Sequence, residues 1–547
     1  MWRCSRADDT PGPVATAISG AGKRDPAAIM RRMPGPTTRA LHDRIMASLA
    51  ASPKRNVASC LPPGRDLDLD SFERRILGAE RRLVRVGNAT GRPTAVPDSG
   101  QLVLLSCRNI DAYLVAVATL WKRGFVPLLA DADLSRAEVA ELVRSLRPAF
   151  CLLDRRADPE GGDVEDLGES LAGLHAWIPG RRAAVRPGGG AGPATDALRG
   201  AAAVRLTSGS TGKPRGVVVT AEQLLADTRQ ITGTLGVRPN DTLVAAIPLG
   251  HAYGFGHILM ALVLQGTRPL LLEHPLPALL VEALSGPGPL VFPGTPYLFG
   301  LVMQAAGRKR FKGLRLCVSA GAPLPAALSR DFKERFGLPV RTFYGTTESG
   351  GISYDRSRDG VLPDGCVGTP LEGVRVEIRP ERGGEEGTGR LCVRSEAVAS
   401  GYVPEGGADL EGGRFVTGDL GRLDDQGCLR LLGRVDRMIN VGGRKVNPAE
   451  VEAVLREVPG VRQAVVFGAP DRHRGQAVCA CVVAARGMTR ETLLAACGAR
   501  LAPFKVPRRI EVVDRIPVSA RGKVERTSLL SLIARPFLRS SPTLHRN

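Results

Sequence analysis

Between Val204 and Thr220 the chain reads Val-Arg-Leu-Thr-Ser-Gly-Ser-Thr-Gly-Lys-Pro-Arg-Gly-Val-Val-Val-Thr. Four hydroxyl side chains, Thr207, Ser208, Ser210 and Thr211, are interleaved with Gly209 and Gly212, and Lys213, Arg215 and Gly216 close the stretch. Glycines let the backbone bend so that several N–H groups point at one spot. Hydroxyls and cations add donors there, so the loop suits a polyphosphate. It is not a Walker A loop. No glycine stands five residues before Gly212, and Pro214 follows the lysine where Ser or Thr is required. By composition alone the stretch reads sooner as a Ser/Gly-rich surface turn.

Other stretches carry chemistry of their own. In Tyr344-Gly345-Thr346-Thr347-Glu348 an aromatic ring can stack on a base, a hydroxyl can donate to a phosphate, and a carboxylate is a hard oxygen ligand for Mg²⁺. In Thr417-Gly418-Asp419-Leu420-Gly421 a carboxylate can accept from two vicinal hydroxyls. Arg434 follows in Gly-Arg-Val-Asp-Arg, and Gly442 and Gly443 form a glycine loop. Lys523 lies in Pro517-Val518-Ser519-Ala520-Arg521-Gly522-Lys523-Val524. Taken singly, each has a plain reading: a solvated acid, a turn aspartate, a hairpin, a surface lysine.

Together, and in this order, these motifs resemble the adenylate-forming superfamily, which includes acyl-CoA synthetases, carrier-loading adenylation domains and luciferases. The resemblance runs from about residue 100 to 530. It implies that Thr207 to Gly216 holds the phosphates of ATP, with Arg215 where lysine is usual. It implies that Ile247-Pro248-Leu249-Gly250-His251-Ala252-Tyr253-Gly254 forms a wall of the acyl pocket, with His251 beside the substrate carboxylate. The usual aspartate of amino-acid-activating members is missing from that segment, so an α-amino acid is not the expected substrate. Ala320, Gly321 and Ala322 would lie along adenine, with Tyr344, Gly345 and Thr346. Thr347 would meet the α-phosphate, Glu348 would hold Mg²⁺, and Asp419 and Arg434 would hold the ribose. Arg390 stands where the family has glutamate, in a segment expected to be structural. Asp436 takes the hinge position, Gly442 and Gly443 would face the incoming thiol, and Lys523 would be the catalytic cation. The implied activity is ATP-dependent activation of a small-molecule carboxylic acid, then transfer to CoA. The alternative acceptor is the phosphopantetheine thiol of an acyl carrier protein.

These residues need a scaffold. Apolar runs at Leu102–Ser106, Phe125–Ala130 and Phe150–Leu153 alternate with helical patterns at Ile110–Trp121 and Arg136–Leu146, and the alternation resumes after the loop, from Thr242 to Tyr344. Strand–helix alternation predicts doubly wound α/β layers. From Cys366 to Leu432 helical periodicity gives way to short alternations and glycine turns, which predicts a β-rich subdomain. Asn447 and Pro448 read as N-cap and first residue of a helix. The expected fold is α/β: a large N-terminal domain of two doubly wound α/β subdomains plus the β-rich one, and a small mobile α+β C-terminal domain. Residues 1–60, proline-rich and without periodicity, are expected to be a disordered extension. Residues 61–433 and 434–535 are expected to be the two AMP-binding domains, and 536–547 a tail.

Composition narrows the class. With 547 residues the chain is too long for one ordinary domain. No apolar run of about 20 residues exists, so no membrane span is expected. Eleven scattered cysteines form neither a CxxC pair nor a disulfide framework, which fits a cytoplasmic protein. The net charge of +20 comes from dispersed arginines without a basic block, so an anionic substrate, and no nucleic acid, is the expected partner.

Overall fold

In a computed structural model of the protein, the described residues are 37–52, 56–61, 66–89, 100–154, 163–178, 198–208, 214–381, 385–404, 409–441, 444–471, 475–501, 503–517, 524 and 526–534. Among them, two large sheets face a shared core. The first runs, in spatial order, Gly401–Val403, Pro214–Thr220, Ala201–Ser208, Val126–Ala130, Leu102–Ser106, Phe150–Leu153, His175–Ile178 and Asp163–Asp166. The second runs Thr369–Pro370, Gly350–Tyr354, Val340–Thr346, Leu314–Ser319, Leu290–Gly294, Thr242–Ala245, Arg268–Leu272, Asn56–Leu61 and Leu67–Asp68. Their central strands pair in parallel. Leu102–Ser106 and Val126–Ala130 are buried at every position, as continuous apolar runs in a covered parallel sheet should be.

The helix Asp111–Lys122 joins the two sheets. It is apolar all round and buried from Asp111 to Trp121, which only a helix enclosed by protein tolerates. Trp121 Nε1 donates to Ala202 O of the first sheet at 2.9 Å. Just before the helix, Asn109 Nδ2 donates to Ala245 O and Ile247 O, at the end of a strand of the second.

Part of the expected disordered extension is instead core. Thr38–Ala50 is a helix, capped by Thr37 and buried through Leu41, Ile45 and Leu49. It packs on Asp111–Lys122 and Met260–Gln265. Its apolar residues at i, i+4 and i+8 are a one-face pattern that the surrounding arginines and prolines obscured. Residues 1–36 lie outside the described residues, as does the expected tail 536–547. Asp163–Asp166 and His175–Ile178 pair antiparallel at the sheet edge.

The β-rich subdomain is an antiparallel sheet of Arg375–Pro380, Gly389–Arg394, Arg414–Leu423, Leu410–Glu411 and Leu429–Arg434. A 3₁₀ turn at Val435–Arg437 leads into the small C-terminal α+β unit. There Gly475–Ala484 is flanked by Val461–Asp471, Ile439–Val441 and Arg509–Val512, and the helices Pro448–Arg456 and Arg490–Arg500 cover the sheet. Asn447 caps its helix as expected, accepting from Ala449 N at 3.1 Å, and its Nδ2 reaches back to Leu432 O. The mixed α/β architecture with a small C-terminal domain is the fold class the sequence predicted.

Candidate active site

Parallel strands of the second sheet end together at Ile247–His251, Gly294–Thr295, Ser319–Leu324 and Thr346–Glu348. In open α/β sheets ligands bind outside the carboxyl ends of the strands. The sequence-predicted residues Ala320, Gly321, Ala322, Tyr344, Gly345, Thr346, Thr347 and Glu348 therefore share one edge. Ala320 N donates to Gly294 O at 3.1 Å, and Gly321 takes φ +83°, a left-handed turn that suits glycine.

Asp419 comes to the same edge from the β-rich sheet. Strand register sets it opposite Arg434, whose Nη1 donates to Oδ1 at 3.2 Å. Tyr344 donates its hydroxyl to the other oxygen, Oδ2, at 2.6 Å. Asp419 is 8% exposed, so this charge is held by named donors and not by solvent. Burial first, and the adjacent Asp419 second, keep the Tyr344 phenol well above its ordinary range and therefore protonated. The Arg434 guanidinium lies against Gly418, where a Cβ would stand 2.9 Å from Nη2. A side chain there would push the guanidinium from its present place.

Glu348 stands close enough to Arg434 and Asp419 for all three charges to interact. Burial dominates, raising its carboxyl above the usual glutamate value. Its side-chain contact is a long one, from the Tyr402 hydroxyl at 3.5 Å. The Arg215 guanidinium lies over the Tyr402 ring, 4.0 Å from its centroid. The phosphate-loop arginine and the candidate metal ligand are thus joined through one tyrosine. A partly buried carboxylate short of cationic partners fits a hard cation. Mg²⁺ asks for only one or two carboxylates when phosphate oxygens supply the rest. Among the described residues no cluster of three metal-ligating side chains exists, so the protein's share of such a site would be Glu348.

The segment expected to hold phosphates connects two strands that pair antiparallel. Thr207 pairs with Arg215 and Ser208 with Pro214, at the ends of Ala201–Ser208 and Pro214–Thr220. Gly209, Ser210, Thr211, Gly212 and Lys213 lie outside the described residues, as do Gly442, Gly443 and Lys523. Gly216 has a packing reason to be glycine, since a Cβ there would stand 2.5 Å from Val204 Cγ1. The Thr346 hydroxyl is turned inward, accepting from Ser349 N at 3.1 Å to shape the turn. Thr347 makes no hydrogen bond to a described residue.

His251 is 30% exposed in its side chain, with Nε2 3.0 Å from Asp131 Oδ2. The segment before it is held tightly. Asn109 Oδ1 accepts from Leu249 N at 2.8 Å, and the Tyr113 hydroxyl donates to Leu249 O at 3.0 Å. A Cβ on Gly250 would stand 2.3 Å from Ala130 O. Sequence reasoning missed Asp131, Asn109, Tyr113 and Tyr402. Only Asp131 carried a signal, as an acid directly after a buried strand. Arg390 does what a structural residue does, donating to Thr417 O at 2.9 Å and Asp409 Oδ1 at 3.2 Å.

The chain matches two domain families. Residues 97–403 match the AMP-binding enzyme family, and residues 450–523 match the AMP-binding enzyme C-terminal domain. It is 32% identical over 351 residues to an oxalate–CoA ligase of Arabidopsis thaliana, covering 61% of this chain and 66% of that one, just under two thirds. It is 28% identical over 445 residues to a 2-succinylbenzoate–CoA ligase of Bacillus cereus, covering 80% and 89%. The solved structure of an ATP-bound RpMatB-BxBclM chimera superposes with a TM-score of 0.72 at 23% identity, covering 91% and 99%, a likeness of fold. No helix among the described residues is long and apolar enough to cross a membrane, and the ten described cysteines are all free. By domain order, fold and the shared edge carrying Tyr344, Glu348 and Asp419, the chain belongs to the AMP-binding enzymes of the adenylate-forming superfamily.

Proposed function

We propose that the protein joins a carboxylic acid to ATP and then passes the acyl group to the thiol of CoA. The observation that carries this reading is the Asp419 carboxylate, fixed between Tyr344 and Arg434 beside Glu348, at the strand edge where the phosphate hairpin also ends. A carboxylate accepts at about four lone-pair sites. Two are met by protein, which leaves two for the vicinal hydroxyls of a ribose.

The acid and ATP are both anionic, so repulsion must be removed before they react. Arg215, Arg434 and the lysines Lys213 and Lys523 supply positive charge for this. Mg²⁺ held by Glu348 would add charge neutralisation at the phosphates. With its repulsion screened, a carboxylate oxygen attacks the α-phosphorus. The bond from that phosphorus to the bridging oxygen breaks, and pyrophosphate leaves. Positioning and preorganised charge do most of the work in such a transfer. His251, fixed by Asp131 and partly exposed, gates the acid side of the site.

Residues 434–535 then turn about Asp436, bringing Gly442 and Gly443 to the site. The thiol sulfur attacks the acyl carbon and gives its proton to solvent, the carbon–oxygen bond to the phosphate breaks, and AMP leaves. CoA as acceptor is supported by the CoA-ligase relatives.

The test is pyrophosphate exchange over a panel of aliphatic, aromatic and dicarboxylic acids, followed by product analysis with CoA or a holo-carrier protein. Acid-dependent exchange and a CoA thioester are expected. Absence of exchange with every acid would sink the reading.

A further inference from the structure

Two cysteines far apart in the sequence meet where two sheets join. Cys366 lies in the connection between Gly350–Tyr354 and Thr369–Pro370 of the second sheet. It pairs antiparallel with Arg430 of the β-rich strand Leu429–Arg434. Val367 N donates to Leu429 O and Leu431 N donates to Gly365 O, each at 2.8 Å, so backbone bonds on both sides fix this register. The Arg430 guanidinium adds another, from Nη1 to Asp364 O at 2.9 Å. Cys428 stands two positions before Arg430, the spacing that returns a side chain to the same face. Diagonal neighbours across a ladder come within side-chain reach. Here the Cys428 and Cys366 thiols are in hydrogen-bond contact.

Their access differs. Of the ten described cysteines nine are buried, Cys366 among them at 8% exposed, and Cys428 alone is partly exposed. Cys428 closes a tight turn, where its N–H donates to Asp424 Oδ1 at 2.8 Å and its carbonyl accepts from Asp424 N at 3.0 Å. One thiol is thus open to a solute, and the thiol touching it is shielded. An accessible cysteine beside a second one that can resolve it is the arrangement that oxidises reversibly. Burial first, and Cys366 second, push the Cys428 thiol up to about 11. Little thiolate stands at neutral pH, so oxidation is slow and answers sustained exposure to oxidant.

We propose that Cys428 and Cys366 form a reversible disulfide under a peroxide, clamping the β-rich sheet to the second sheet. The Cys428 sulfur attacks one peroxide oxygen. The O–O bond breaks, the sulfur gives up two electrons, and water leaves beside a sulfenic acid. The Cys366 sulfur then attacks the Cys428 sulfur. The S–O bond breaks, and the departing hydroxide takes the Cys366 proton and leaves as a second water. A small thiol in excess reduces the bond again. The sheets so joined are the two whose meeting sets Tyr344 against Asp419.

The experiment treats the reduced full-length protein with hydrogen peroxide at pH 8.5, where more of the thiol is ionised, and reads it by peptide mass spectrometry and urea unfolding. The expected product is a peptide pair joined through Cys366 and Cys428, two hydrogens lighter than its parts and separated by dithiothreitol. Its formation should raise the urea midpoint, because a cross-link between positions far apart in the chain restricts the unfolded state. In Cys366→Ser the sulfenic acid has no partner, so Cys428 should go on to the sulfinic acid and the midpoint should not rise. Sulfinic acid at Cys428 in wild type, a disulfide to any other cysteine, no oxidation, or a midpoint that fails to rise on cross-linking overturns the inference. The wild-type peptide map needs no variant, so it decides the matter where Cys366→Ser does not fold. No substrate enters the measurement, so its failure leaves the ligase reading standing.

Discussion

The hydroxyl of Tyr344 donates to Oδ2 of Asp419 at 2.6 Å, joining two residues that lie 75 positions apart. This bond locks the β-rich sheet to the end of a parallel strand, and it presets the carboxylate for its ligand. Arg434 completes the setting from the opposite strand. The aromatic ring expected to stack on a base therefore also serves as a clamp through its hydroxyl.

Asp419→Ala should weaken ATP binding by about 10- to 100-fold, because hydrogen bonds to a charged group contribute about 1.5–3 kcal/mol. Tyr344→Phe should weaken it less, since the ring remains and only the presetting bond is lost. Calorimetric titration with a non-hydrolysable ATP analogue reads both. Equal, unchanged affinities in folded variants would remove Asp419 from the nucleotide site.

Arg215 should act on the phosphates although it stands where lysine is usual. Its guanidinium stacks on Tyr402, whose hydroxyl meets Glu348. Arg215→Lys keeps the charge but loses the planar stacking geometry, and turnover should stay within a few-fold of wild type. Arg215→Ala should lower pyrophosphate exchange further. Full exchange in the alanine variant would make the residue a bystander.

How much of this was legible in the sequence depends on where the physics lies. The parallel sheets were, because runs such as Leu102–Ser106 are apolar at nearly every position and bounded by helical patterns. Tyr344, Glu348 and Asp419 stood out only through the resemblance of their motifs, since taken singly each reads as a solvated or turn residue. The Tyr344–Asp419 bond was not legible, since it depends on how two sheets meet. Nor was Tyr402, one of six tyrosines and set by a strand register between residues far apart in the chain. The helix Thr38–Ala50 was hidden by its surroundings: its apolar face is short, and its partners lie more than 60 residues away.

His257 should give the protein a measurable acid sensitivity. The unfolded imidazole titrates near 6.5, while burial holds the folded one near 3. Between those values the unfolded chain binds the extra proton, so stability falls as pH falls, by up to about 1.4 kcal/mol per unit. Above pH 6.5 this effect vanishes. Urea unfolding at pH 7.5, 6 and 5 should show a steeper loss for wild type than for His257→Asn. Parallel pH profiles would mean that the imidazole is not buried as the structure has it.

Removing residues 1–36 should leave folding and turnover intact, while removing 1–52 should not. The second cut deletes Leu41, Ile45 and Leu49, each at most 3% exposed. Emptying one buried leucine site alone costs about 2–5 kcal/mol, and total stability is only about 5–15 kcal/mol. Soluble, active protein starting at residue 53 would show that the helix does not belong to the core.

Lys523 should serve the adenylation half-reaction and not the thioester half-reaction. Its role rests on its place in the Arg-Gly-Lys-Val stretch of the C-terminal domain, which is joined to the rest through the turn Val435–Arg437. In the adenylating arrangement its ammonium would bridge the substrate carboxylate and the α-phosphate, where charge grows in the transition state. Losing one preorganised donor of this kind costs about 10²–10³ in rate. Were the domain to turn about Asp436, Gly442 and Gly443 would take its place. Lys523→Ala should therefore lose acid-dependent pyrophosphate exchange by that factor. The same variant, given a chemically prepared acyl-adenylate and CoA, should form thioester at nearly the wild-type rate. Equal losses in both assays would mean that the C-terminal domain does not alternate between two arrangements, or that Lys523 is required for its fold. No loss in either would take the catalytic cation away from this position.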